Sequence, residues 1–116
     1  MKAEDLMIGD WVQIPSELNR YKILKSTFDM DEAVLYEPIP LTPEILEKIG
    51  FTTEPNIGYI IDDWDGNQII YDSWNHVLRI IKDYKTCLDI ETFNDLTVHE
   101  LQHALKLCGI NKEIAL

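Results

Sequence analysis

Tyr59-Ile60-Ile61-Asp62-Asp63-Trp64-Asp65-Gly66-Asn67-Gln68-Ile69-Ile70-Tyr71 is the stretch on which the fold turns. Two short runs of β-branched and aromatic residues flank an Asp65-Gly66 pair, and glycine tolerates the positive φ that a tight hairpin turn demands. The segment reads as two antiparallel strands. His76 to Ile81 and Thr86 to Ile90 carry the same strand character. Four consecutive strands joined by short connections pair most simply as an antiparallel meander.

A meander with one apolar face needs a cover, and the chain supplies one downstream. Val98, Leu101, Leu105 and Cys108 recur at three- and four-residue spacing, which predicts a helix from about Val98 to Cys108 lying on the sheet. Its ends are written in: Thr97-Val98-His99-Glu100 spells a capping box, Leu96 and Leu101 occupy the staple positions, and Gly109-Ile110 is a glycine stop. Leu41-Thr42-Pro43-Glu44-Ile45-Leu46 uses the same grammar upstream. Thr42 suits the N-cap, Pro43 the first helical position and Glu44 the positive end of the dipole, while Gly50 ends the helix and Phe51 packs back on Leu46.

The N-terminal third reads as strands. Gly9-Asp10 forms a turn before a short strand with Val12 and Ile14 on one face, ended by Pro15. Tyr21 to Phe28 and Ala33 to Tyr36 make two more strands around the polar turn Asp29 to Glu32, and the three are expected to form a small curled, SH3-like sheet. Pro38 and Pro40 hold the next segment extended. The expectation is one α+β domain over residues 1–116, with a β-rich part over 1–37 and a helix, meander and helix over 41–116.

Composition narrows the function classes. With 21 acids against 10 bases the formal charge is -11, which opposes attraction to nucleic-acid backbones and anionic lipid surfaces. The charge reads first as solubility and second as a surface for a basic partner; the expected partner is a protein, with no direct nucleic acid and no membrane. No run approaches the roughly 18 apolar residues of a membrane span, and the acidic start Met1-Lys2-Ala3-Glu4-Asp5 does not resemble an export signal, so the expected compartment is the cytoplasm. Cys87 and Cys108 stand twenty-one positions apart with no C-x-x-C pairing, which reads as two reduced thiols rather than a disulfide or zinc framework.

His99-Glu100-Leu101-Gln102-His103 spells H-E-x-x-H, in which two histidines one helical turn apart bind zinc and the glutamate activates water. The helix register opposes that chemistry. Glu100 is the third helical residue after the Thr97 cap and so has a capping role, and His99 sits near the positive dipole end. On the helical wheel His99 and His103 fall away from the Val98–Leu101–Leu105 face and are expected to meet solvent. Only Glu113 follows as an obvious further ligand, and the sole other histidine is His76. The binding candidate is instead the Asp62-Asp63-Trp64-Asp65 tip, where acids and a tryptophan share a hairpin end. A plain Asp-Gly turn explains the same residues, and the segment lacks the later ligands of a calcium loop. Trp11 and Trp74 read as core or as cover over a sheet end. Neither a glycine-rich phosphate loop nor a serine-nucleophile elbow occurs.

Ile39-Pro40-Leu41-Thr42-Pro43-Glu44-Ile45-Leu46-Glu47-Lys48-Ile49-Gly50-Phe51, with Val98-His99-Glu100-Leu101-Gln102-His103 and the opening Leu6 to Val12, resembles small uncharacterised proteins of Bacteroides-type gut bacteria and their phages and mobile elements. In that family the second motif is more often V-H-x-L-Q-N, so His103 departs from it. The resemblance implies a phage-borne accessory protein with no cofactor and no catalytic residues. Three function classes follow: a non-enzymatic interaction protein, in one form an acidic inhibitor of a host defence factor; a zinc hydrolase using His99, His103 and Glu100; and a phage assembly protein.

Overall fold

The computed structural model describes residues 6–7, 9–14, 21–25, 36–62, 66–91, 96–112, 114 and 116. Among them the chain forms β1 (Trp11–Gln13), β2 (Tyr21–Ile23), α1 (Pro43–Ile49), β3 (Thr52–Glu54), β4 (Gly58–Asp62), β5 (Gln68–Asp72), β6 (Val77–Lys82), β7 (Lys85–Glu91) and α2 (Val98–Leu107). The fold is α+β. β3 to β7 form a five-stranded antiparallel sheet in sequence order, and β1 and β2 form a separate two-stranded sheet.

The meander contains one strand more than the sequence suggests. β3 is Thr52-Thr53-Glu54, exposed throughout and followed by Pro55, so it lacks the apolar run that marks the others. His76 belongs not to a strand but to the β5–β6 turn, with φ at 53°. β4 begins at Gly58, where a Cβ would stand 2.6 Å from the Tyr71 carbonyl oxygen at a φ of 110°. Only glycine lets β4 approach β5 this closely there.

One face of the sheet carries Ile61, Ile69, Tyr71, Leu78 and Ile80, which form the main core with residues of both helices. α2 contributes Val98, Leu101, Leu105 and Cys108, the face its spacing marks. Its cap is as the sequence reads: Glu100 Oε1 accepts from the Thr97 backbone N–H (3.0 Å) and from the Thr97 hydroxyl (2.7 Å). Thr42 Oγ1 accepts from the Ile45 N–H at 3.3 Å to cap α1, and Gly50, left-handed at φ 116°, ends it with Phe51 N–H donating back to Leu46 O. The extended segment before α1 lies beside the start of α2, where Val98 N–H donates to Ile39 O and Leu41 N–H to Leu96 O. Buried Tyr71 closes the junction by accepting from the Leu96 N–H at 3.2 Å.

The N-terminal part has its own small core of Leu6, Val12, Leu24 and Tyr36, with Ile14 against it. Two strands are described here rather than three, and Glu37 adds a single bridge to Gln13. The remaining strand positions of the expected SH3-like sheet, 26–35, lie outside the described residues. No described helix is long and apolar enough to cross a membrane.

Candidate interaction surface

His99 and His103 of the H-E-x-x-H motif do not simply face solvent as the helical wheel alone suggests. α2 is covered on a second side, by β1 and the turn before it. Gln102 Oε1 accepts from the Trp11 N–H (2.9 Å) while Gln102 Nε2 donates to Gly9 O (2.8 Å). His103 Nε2 lies 2.6 Å from Asp10 Oδ2, and Asp10 is fully buried, its Oδ2 also accepting from the Met7 N–H at 2.7 Å. His99 is 8% exposed, with Nδ1 3.2 Å from Thr97 Oγ1 and its ring edge-on to His103 at 5.6 Å. Glu100 is occupied in the cap. Among the described residues no group of three or more His, Cys, Asp or Glu side chains is arranged to hold a metal. The motif's residues clamp the N-terminal sheet onto the C-terminal helix, with Trp11 Nε1 donating to Ile114 O (2.7 Å) as a further tie.

Of the acidic tip singled out in the sequence, Asp62 ends β4 and is exposed, whereas Asp63, Trp64 and Asp65 lie outside the described residues. The tryptophan that stands out in the structure is Trp74, which is 91% exposed and is neither core nor cover. It rides on the β5–β6 turn, and Asp72 makes that turn a defined platform. Asp72 Oδ1 accepts from the N–H groups of Trp74 (3.0 Å) and Asn75 (3.1 Å), and Oδ2 from Asn75 Nδ2 (2.8 Å). The Asn75 side chain and backbone hold the Asp72 carboxyl below its ordinary pKa, since each donor favours the charged form.

Beside Trp74 is a groove of 510 Å³ between the β3–β4 and β5–β6 turns, lined by Thr53, Glu54, Asn56, Ile57, Gly58, Tyr59, Asp72, Ser73 and Asn75 as well as Trp74. A second groove of 670 Å³ shares Asn56, Ile57, Asp72 and Asn75 with it and continues past Ile70, Val77, Arg79 and Glu91. Together they run over the sheet face that α2 leaves open. The lining mixes apolar side chains, among them Ile57, itself 42% exposed, with the acids Glu54, Asp72 and Glu91. Arg79, a lining cation, already bonds Asp89 Oδ2 through Nη2 (2.9 Å) and Nε (3.2 Å), so the grooves present net negative charge. Sequence reading missed this site because an aromatic in a turn gives no periodic signal; the Asp72-x-x-Asn75 spacing was the available sign.

No protein-family model matches the chain, and neither any curated protein nor any solved structure matches it significantly.

Proposed function

We propose that this chain is a non-enzymatic interaction protein, an accessory factor of a phage or mobile element, that docks a basic segment of a partner protein in the Trp74 groove. The observation that carries the reading is the large exposed aromatic on a hydrogen-bonded turn beside a groove of mixed apolar and acidic lining. An exposed tryptophan on a pre-ordered platform loses little entropy on binding and is the commonest kind of anchor at protein interfaces. The chemistry of the occupant follows from charge. A formal charge of -11 attracts a cationic partner at long range, and the rim acids Glu54, Asp72 and Glu91 meet lysine or arginine at short range. A guanidinium over the Trp74 ring adds a cation–π contact of about 0.5–1 kcal/mol at an exposed site. Inhibition of a nucleic-acid-binding host factor, with carboxylates in the place of phosphates, is one use of such a surface.

The test is an NMR titration of the full chain with short peptides that combine arginine and aliphatic residues. The expected shifts are confined to residues 53–59 and 72–79, weaken several-fold when salt is raised from about 0.05 to 0.5 M, and vanish in Trp74→Ala. Binding that is indifferent to Trp74→Ala, or shifts centred elsewhere, overturns the reading.

A further inference from the structure

Cys87 and Cys108 are distant in sequence and belong to different elements, yet the fold brings their thiols together. Cys108 closes α2 and is buried in the main core, while Cys87 lies exposed on β7, an edge strand of the sheet. The device that joins them is a bulge. Ile80 pairs with Leu88 but Ile81 pairs with Thr86, so Cys87 is the extra residue between them. In an unbroken strand Cys87 would alternate with Leu88, which packs toward the core, and would face away from α2; a bulge re-aims such a side chain. The bulge sets Cys87 opposite Ile81, one residue from Lys82, which itself reaches the carbonyl next to Cys108, and so brings Cys87 near enough to act on the Cys108 thiol. A neighbouring tie holds the two elements in place, since Lys82 Nζ donates to the carbonyl of Gly109 at 3.2 Å. We propose that Cys87 and Cys108 are a modification site: a dithiol that closes to a reversible intramolecular disulfide and staples the β7 edge to the C-terminal end of α2.

The oxidant this step requires is a small-molecule disulfide of the glutathione class. The exposed Cys87 thiolate attacks one of its sulfurs; a mixed disulfide forms, the small S–S bond breaks, and one small thiol leaves, taking up a proton equivalent to the one Cys87 gave up. Cys108 then attacks the Cys87 sulfur, the protein disulfide forms, and the second small thiol leaves with a proton equivalent to that of Cys108. Two protein thiols are oxidised and one small disulfide is reduced to two thiols. Closure waits on the second step. In the reduced protein burial, then Cys87, pushes the Cys108 thiol up to about 12, against a weaker opposing pull from Lys82; burial, the largest cause, still raises it when Cys87 is a mixed disulfide. Cys87 from β7 and Lys82 from β6 are the titratable groups acting on it there. While the Cys108 thiol stays mostly protonated, its thiolate fraction, and with it the closing rate, rises about tenfold per pH unit.

The test uses the full chain with oxidised glutathione between about pH 7 and pH 9, followed by acid quenching and intact mass measurement. The expected sequence is a glutathione adduct, then a monomer lighter than the reduced protein by two hydrogens. Its closing rate should climb steeply with pH, a peptide map should join Cys87 to Cys108, and a reductant should reverse the change. Cys87→Ser, at an exposed position, should form no adduct and should not close. An adduct that persists unclosed across the pH range, dimers linked only through Cys87, or closure that needs urea to open the fold would each overturn the proposal.

Discussion

Removal of the His103 imidazole is the perturbation that most directly tests how the two sheets are joined. His103→Leu takes from the fully buried Asp10 one of its two hydrogen-bond partners among the described residues, leaving only the Met7 N–H on Oδ2, while Oδ1 is already buried without a partner. Removing one member of a buried pair costs about 3–5 kcal/mol when the survivor stays dry, and a hydrogen bond to a charged group contributes about 1.5–3 kcal/mol. His103 keeps 28% of its side-chain surface in solvent, so water reaches part of the vacated space, and the lower range applies. The expected destabilisation is about 2–3 kcal/mol. With a urea slope of about 1–3 kcal/mol/M the midpoint should fall by roughly 0.7–3 M. His103→Gln, which restores an uncharged donor, should recover part of the loss. In Asp10→Asn/His103→Leu the combined cost should fall short of the sum of the single costs by more than about 1 kcal/mol, because the second change removes the stranded charge. A single-variant loss under about 0.5 kcal/mol, or additive costs, would refute the clamp and return His103 to the status of a surface residue.

Trp74→Ala should leave the unfolding midpoint within about 0.5 kcal/mol of the parent, because a side chain 91% exposed buries little on folding, while peptide binding is lost; urea unfolding beside the NMR titration separates the two. Asp72 should titrate below the ordinary carboxylate value of 3.8, and Asn75→Ala should move its midpoint back up, as followed by carbon-detected NMR. The sign follows: with the folded pKa depressed, the turn's contribution is complete above the unfolded pKa and lost as pH falls through the folded one. Gly58→Ala should cost about 2 kcal/mol or more and Gly9→Ala only about 1 kcal/mol, since both have positive φ but only the Gly58 Cβ meets backbone, the Tyr71 carbonyl oxygen at 2.6 Å; comparable midpoints would refute the close approach. Glu100→Ala should lower stability by about 1 kcal/mol through loss of the cap, with no change in peptide binding.

The parts of the fold legible in the sequence are those whose signals are local. Thr42, Pro43 and Gly50 delimit α1, and Thr97 and Gly109 delimit α2, because caps and stops act within a few residues of themselves. The strands β4 to β7 were legible through short apolar runs of β-branched and aromatic residues set between turn residues, because the sheet packs against α2 on one face. β3 has no such run: its three residues are exposed, and it is a strand only because its backbone pairs with β4. A polar edge strand of three residues leaves almost nothing for pattern reading to detect.

The candidate sites were hidden for a related reason, since each depends on which side of an element a residue occupies after packing. The helical wheel places His99 and His103 away from the Leu101 and Leu105 stripe, but solvent is not the only alternative to a core. A second layer, β1 with its Gly9-Asp10 turn, covers that flank, and its polar partners Asp10 and Gln102 carry no hydrophobic period. The same holds for Cys87, whose alternation with Leu88 points it away from α2 until a bulge at Ile80 and Ile81 turns it back toward Cys108. Trp74 is the converse case, an apolar residue that pattern reading assigns inward and that stands exposed on a turn whose backbone Asp72 fixes. A turn whose backbone is fixed by a carboxylate and an asparagine side chain, and which carries an indole in water, retains an exposed apolar side chain that folding does not require, which is the physical reason to look for its use in binding.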